Sequence, residues 1–131
     1  MQDSLKTSQV ITAALIGGVV VFTAVFMFIG AEPTEEPLIS WLAIGFVVLA
    51  VVGHQIVPVL VTPGPPDGQK YFIRSLFRAA ILEGAALFNG VAYLLEGQTL
   101  NLAAIGVLVG LMLIGFPTRT KFATYIGDET L

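Results

Sequence analysis

Residues 10–29 read VITAALIGGVVVFTAVFMFI, an uninterrupted run of 20 residues without a charged side chain. A helix needs about 20 predominantly apolar residues to cross the hydrocarbon core of a bilayer, so this run is long enough to span a membrane. Backbone polar groups in lipid must be hydrogen-bonded within the segment, which favours a helix over an open strand. The run therefore predicts a transmembrane helix. It is longer than the apolar region of a signal peptide, about 7–15 residues, so we expect it to be retained.

Three further apolar stretches follow, separated by short connections that contain prolines and glycines. The predicted helices cover residues 8–30, 38–61, 71–95 and 100–117, and a flexible C-terminal tail is predicted for 118–131. The sequence thus predicts an all-α integral membrane protein: a four-transmembrane-helix bundle that forms a single domain over residues 1–131.

The composition excludes several other classes of protein. Charged residues make up 11% of the 131 residues and apolar residues 56%, whereas a soluble domain has about 25% charged residues. A soluble enzyme, a nucleic-acid-binding protein and a disordered tail are therefore excluded. The chain has no cysteine, hence no thiol nucleophile and no thiolate metal ligand. We expect neither enzymatic activity nor a cofactor.

The basic residues indicate how the bundle is oriented. In the predicted topology every Lys and Arg falls on one side of the membrane: Lys6, Lys70, Arg74, Arg78, Arg119 and Lys121. By the positive-inside rule, that side and both termini are predicted to be cytoplasmic. The predicted location is a bacterial cytoplasmic (inner) membrane.

Four polar side chains within the predicted spans are the candidates for an ion-coupling or polar site: His54, Gln55, Glu83 and Asn89. Glu83 follows Arg78 by five positions, so at ~1.5 Å per residue it lies roughly 7 Å inside the membrane edge. His54 is predicted at similar depth. Three interpretations remain open: an ion-coupled site of Glu83, His54 and Gln55, interhelical hydrogen bonds that fix the helix register, or an ion pair with a partner subunit or a neighbouring arginine. One histidine and one carboxylate supply too few ligands for zinc, so no metal site is predicted.

Small residues mark candidate packing faces. Ala79, Ala80, Ala86 and Gly90 share a helix face with Glu83, Gly17 lies on the first helix, and Gly106 and Gly110 form a GxxxG pair on the fourth. Such faces let membrane helices approach closely, within one bundle or between chains.

The basic residues Lys70, Arg74, Arg78, Arg119 and Lys121 are interfacial in this topology, and the first three are interleaved with aromatic residues. This pattern predicts anchoring on lipid headgroups, with docking of a cytoplasmic partner as the alternative. The expected partners are membrane lipids together with other membrane subunits or further copies of the chain, and not nucleic acid.

The run EGAALF at residues 83–88 resembles the carboxylate helix of the proteolipid that forms the c-ring of rotary ATPases. The resemblance implies that Glu83 is the ion-carrying residue and that the preceding loop is cytoplasmic. The chain departs from that family in its second helix, which has only Gly45 and Gly53 in place of a dense glycine repeat. Its loop reads PPDGQK at residues 65–70 where the family has Arg-Gln-Pro. We therefore do not assign the chain to the family.

Together these features predict a small non-catalytic polytopic membrane protein, a subunit or an assembly and stabilising component of a larger membrane complex. It would pack through its small-residue faces and an intramembrane Glu/His pair. The alternative is a proton- or cation-translocating component in which Glu83 carries the ion.

Overall fold

The computed structural model describes residues 2–127, which fold into five helices joined by short connections. The helices are α1 (Gln2–Ile29), α2 (Leu38–Leu60), α3 (Gly68–Glu96), α4 (Thr99–Ile114) and α5 (Arg119–Ile126). By length and composition, α1, α2 and α3 can each cross a membrane. A fourth crossing is reached if α4 and α5, which are bent by 65° relative to each other, count as one span. The protein is thus a helical membrane bundle with three or up to four spanning helices.

The helix ends follow from local capping chemistry. The Asp67 carboxylate accepts a hydrogen bond from the Lys70 amide at 2.8 Å and thereby starts α3, three residues before the predicted start. α3 ends at Gly97, whose φ of +68° is the left-handed conformation typical of a glycine that ends a helix. Thr118 starts α5 in the same way as Asp67 starts α3, since its hydroxyl accepts from the Lys121 amide at 3.2 Å.

α3 is the central helix and packs against α1, α2 and α4. The core cluster includes Val19 of α1, Ala50 of α2, Leu82 of α3 and Leu108 of α4. Small residues of α3, among them Ala86, let the neighbouring backbones approach closely. The outer faces of the helices carry large exposed apolar side chains, as expected for surfaces that meet lipid.

The two ends of the bundle differ in charge. At one end, which we call the basic end, the start of α1, the α2–α3 loop and α5 come together, and this end carries all six Lys and Arg residues. Gln9 there donates from Nε2 to the carbonyl oxygen of Pro117 at 3.2 Å. The opposite end, the acidic end, joins the α1–α2 loop to the α3–α4 turn, where the Thr34 amide donates to the Glu96 carbonyl at 3.0 Å.

Part of the predicted flexible tail at 118–131 is helical. α5 lies across the basic end because Phe122 is buried against Leu5 and Tyr71, with 5.0 Å between the ring centroids of Phe122 and Tyr71. The tail prediction is therefore wrong for residues 119–126, where the apolar face of a short helix completes a second hydrophobic cluster. The part of that prediction at 128–131 lies outside the described residues.

Candidate functional site

Glu83 is half-buried on the flank of α3 that faces α1. It lies seven residues, or two turns, before Gly90, against which the Phe26 ring of α1 packs. On the other flank of α3, Ile81 meets Gly53 of α2. Each helical residue turns by about 100°, so Glu83 and Ile81 point to nearly opposite sides of α3.

The structure therefore does not bring Glu83 together with His54 and Gln55. His54 is buried on α2, and its Nδ1 lies 3.1 Å from the carbonyl oxygen of Ala50 in the same helix. Gln55 is exposed on α2. Within residues 2–127, Glu83 forms no ion pair, and neither a hydrogen bond nor a nearby charge acts on its carboxylate.

Asn89 forms the polar centre of the bundle. Its Nδ2 donates to the Ala43 carbonyl of α2 at 3.1 Å and to the Ala85 carbonyl of α3 at 2.8 Å. Its Oδ1 accepts from Asn101 Nδ2 of α4 at 3.0 Å, and both asparagines are fully buried. This network joins α2, α3 and α4 through the buried Asn89 side chain.

Sequence reasoning missed Asn101, the partner of Asn89 on α4. A signal was available, because Asn101 lies three and four residues before Ala104 and Ile105, which share its buried face.

Glu96 at the acidic end was also missed. Its carboxylate accepts from the Ser40 amide at 2.5 Å and from the Ile39 amide at 3.2 Å, and its side chain is buried. These amides belong to the first turn of α2, whose own N-cap residue, Pro37, provides no side-chain cap. A carboxylate from the end of α3 thus satisfies free amides at the positive end of α2. The sequence feature that points to this role of Glu96 is the N-cap position of α2, which holds Pro37 and not a Ser, Thr, Asp or Asn that could cap the helix itself.

The small residues divide into inward and outward groups. Ala79, Ala86 and Gly90 are buried within the bundle, and Ala80 is exposed. Gly17, Gly106 and Gly110 point away from the bundle, because a Cβ at any of them would meet nothing within 4 Å in the described part of the chain. The predicted packing faces of α1 and α4 are therefore directed to the outside.

Two apolar grooves open between helices toward the outer faces. One, of about 570 Å³, lies between α2 and α3 and contains Phe46, Gly53 and Gly84. The other, of about 500 Å³, lies between α1 and α4 and contains Ala24 and Gly106.

The predicted interfacial basic residues all lie at the basic end. The Lys70 ammonium donates to the Pro65 carbonyl at 2.7 Å and lies 4.0 Å from the Asp67 carboxylate. Arg74 donates from Nε to the Thr62 hydroxyl at 2.7 Å, and Lys121 Nζ donates to the carbonyls of Ile114 and Phe116. Arg78 is partly buried, and Arg119 is exposed.

The described residues contain no group of three or more His, Asp or Glu side chains placed to hold a metal ion. In comparisons with protein-family models, curated proteins and solved structures, no match to the chain was found. The fold and the helix composition define the class of protein as a small α-helical integral membrane protein.

Proposed function

We propose that the chain is a small non-catalytic subunit, or an assembly and stabilising component, of a larger membrane complex. The observation that carries the proposal is that Glu83, within the span of α3, has no ion-pair or hydrogen-bond partner among residues 2–127. An ionised carboxylate inside the membrane is costly, by roughly 2–3 kcal/mol on insertion scales, so such groups normally face protein or water. A hydrogen-bond donor or cation from another membrane chain would stabilise Glu83 in the assembled complex.

The outward small-residue surfaces support the same proposal. Gly106 and Gly110 on the outer face of α4 leave room for a second helix to approach, and Gly106 also lines the groove between α1 and α4. Without a hydrophobic driving force in lipid, helices associate through such close backbone packing. We expect the occupant of this surface to be a transmembrane helix of a different membrane protein in the complex.

The proposed orientation has four membrane crossings with both termini in the cytoplasm of a bacterial cell, in the inner membrane. The segregation of all Lys and Arg residues to the basic end supports this orientation through the positive-inside rule. In this orientation α4, which has 16 residues and is about 24 Å long, provides the fourth crossing, and α5 lies across the basic end at the cytoplasmic side.

Substitution of Glu83 tests the proposal. Glu83→Gln keeps the shape and one acceptor of the side chain, so we expect the complex to persist. Glu83→Leu leaves a partner donor unsatisfied and should reduce association about tenfold, as measured by the fraction of chain that migrates with its partner after mild detergent extraction. Gln55→Leu, a change at an exposed position of α2, is the matched control and should leave association unchanged.

The alternative function is proton or cation translocation with Glu83 as the ion carrier, which the same unpartnered carboxylate favours. In that case a lipid-soluble carbodiimide should label Glu83 in native membranes, with labelling lost at high pH. Loss of cellular function in Glu83→Gln while assembly is unchanged would also identify this alternative and reject the subunit proposal.

A further inference from the structure

The basic end contains a polar cavity of about 190 Å³ between α3 and the α4–α5 bend. Its polar side chains are Tyr71, Arg74, Ser75, Arg78, Lys121 and Tyr125. Three of these residues are cations and three carry hydroxyl groups, and none of the residues that line the cavity is acidic. The polar side chains of the cavity are therefore positively charged hydrogen-bond donors and hydroxyl groups that can donate or accept.

Arg78 has a buried hydrogen-bond donor in this cavity that lacks an acceptor in the described part of the chain. Its Nε is buried and has no hydrogen-bond partner within residues 2–127. Its side chain passes directly over Gly115, where a Cβ would lie 3.2 Å from Arg78 Cδ. The glycine thus makes room for the arginine, yet the structure supplies no acceptor for the buried N–H. A buried donor without an acceptor is costly, so the site is incomplete as it stands.

The other cations of the cavity keep free donors. Arg74 uses only its Nε in the bond to Thr62, and its guanidinium lies 4.7 Å over the Tyr125 ring. Its terminal nitrogens remain available. Lys121 donates to two backbone carbonyls at the end of α4, which leaves one of its three N–H groups. Among residues 2–127 the only ion pair is Lys70–Asp67. Within that range, no carboxylate therefore neutralises Arg74, Arg78 or Lys121.

From this geometry we propose that the cavity binds a phosphate group. A phosphate supplies negative charge and several acceptor oxygens, and the planar arginine fork binds two of them at once. The position at the end of the membrane helices fits the phosphate of an anionic lipid headgroup, since basic pockets between transmembrane helices hold such groups. A soluble phosphate has the same chemistry and is the second source that the test separates.

The test is calorimetric titration of the full-length protein in an uncharged maltoside detergent. The probes are monomeric dihexanoyl-phosphatidylglycerol, inorganic phosphate, and dihexanoylglycerol, which lacks the phosphate. We expect saturable binding of one phosphatidylglycerol per chain and none of dihexanoylglycerol. Inorganic phosphate should compete. Tighter binding of the lipid identifies a headgroup site, and equal or tighter binding of inorganic phosphate identifies a soluble ligand.

Variants at Arg78 and Arg119 distinguish specific phosphate binding in the cavity from general electrostatic attraction of anions to the basic end. Arg78→Met should weaken phosphatidylglycerol binding by about tenfold or more. Arg119→Met removes the same charge from α5 outside the cavity and should change binding less than about twofold. Arg78→Lys keeps charge and length in case the methionine variant does not fold, and it should also weaken binding because it loses the bidentate fork. The absence of saturable binding of both phosphate probes, or equal weakening by the variants at Arg78 and Arg119, would overturn the proposal.

Discussion

Replacing Gly97 by alanine should destabilise the bundle by about 2–4 kcal/mol, through two effects at the same position. The φ of +68° at Gly97 is the left-handed conformation, which costs an L-residue about 1–2 kcal/mol. In addition, an added Cβ would lie 2.5 Å from the backbone carbon and oxygen of Glu32 and 2.7 Å from the Pro33 nitrogen. Backbone atoms cannot rotate aside, so the α1–α2 loop must move.

That displacement has a further consequence for the acidic end. The loop is held by the hydrogen bond from the Thr34 amide to the Glu96 carbonyl, and the same Glu96 caps α2. The measurement is the free energy of unfolding from dodecyl sulfate titration in mixed micelles, followed by helical circular dichroism. Gly30→Ala is the matched control, since Gly30 has a φ of +75° but nothing within 4 Å of a built Cβ in the described chain. Equal losses in the two variants would show that the contact with the loop is unimportant.

The second large effect is expected for Asn89→Leu, which should lower the free energy of unfolding by about 1–3 kcal/mol. Leucine has a similar volume but removes the donor to the Ala43 carbonyl and the acceptor for Asn101. The Asn101 amide is then left buried on α4 without a partner, in a site that is fully closed to solvent. The same mixed-micelle titration measures the effect.

A double-mutant cycle isolates the contact between the two asparagines. Asn101→Leu leaves the Asn89 side-chain oxygen unsatisfied, whereas the double variant leaves neither side chain orphaned. We therefore expect the double variant to lose less stability than the sum of the single variants, with a coupling of about 1 kcal/mol. Strict additivity would contradict the account that Asn89 and Asn101 act as one network.

The class of protein and many of the helix ends could be predicted from the sequence. The apolar runs identify membrane helices because lipid requires their length and their internal hydrogen bonding. The caps of α3 and α5 were not predicted, although Asp67 and Thr118 are residue types that favour the start of a helix. An apolar run shows which residues can span the membrane but not where the helix begins. For this reason α1 begins at Gln2, before the predicted residue 8, and α3 begins at Gly68, before the predicted residue 71.

Contacts between distant residues could not be predicted in the same way. The expectation that Glu83 meets His54 rested on similar depth, whereas contact also depends on the flank of α3 that each neighbouring helix occupies. Glu96 lies 56 residues from Ser40, so its capping role depends on how the helices are placed together. α5 was missed because its apolar face, which includes Phe122, is too short to stand out as an apolar run.

The most direct test of the proposed role is native mass spectrometry of the tagged full-length protein, extracted from native membranes in a mild detergent, with every chain in the particle identified. The account predicts a particle of defined stoichiometry that contains this 13.9 kDa chain together with at least one different membrane polypeptide. An isolated monomer would contradict it. A closed ring of this chain alone would also contradict it, and Glu83 would then become the residue to titrate as an ion carrier.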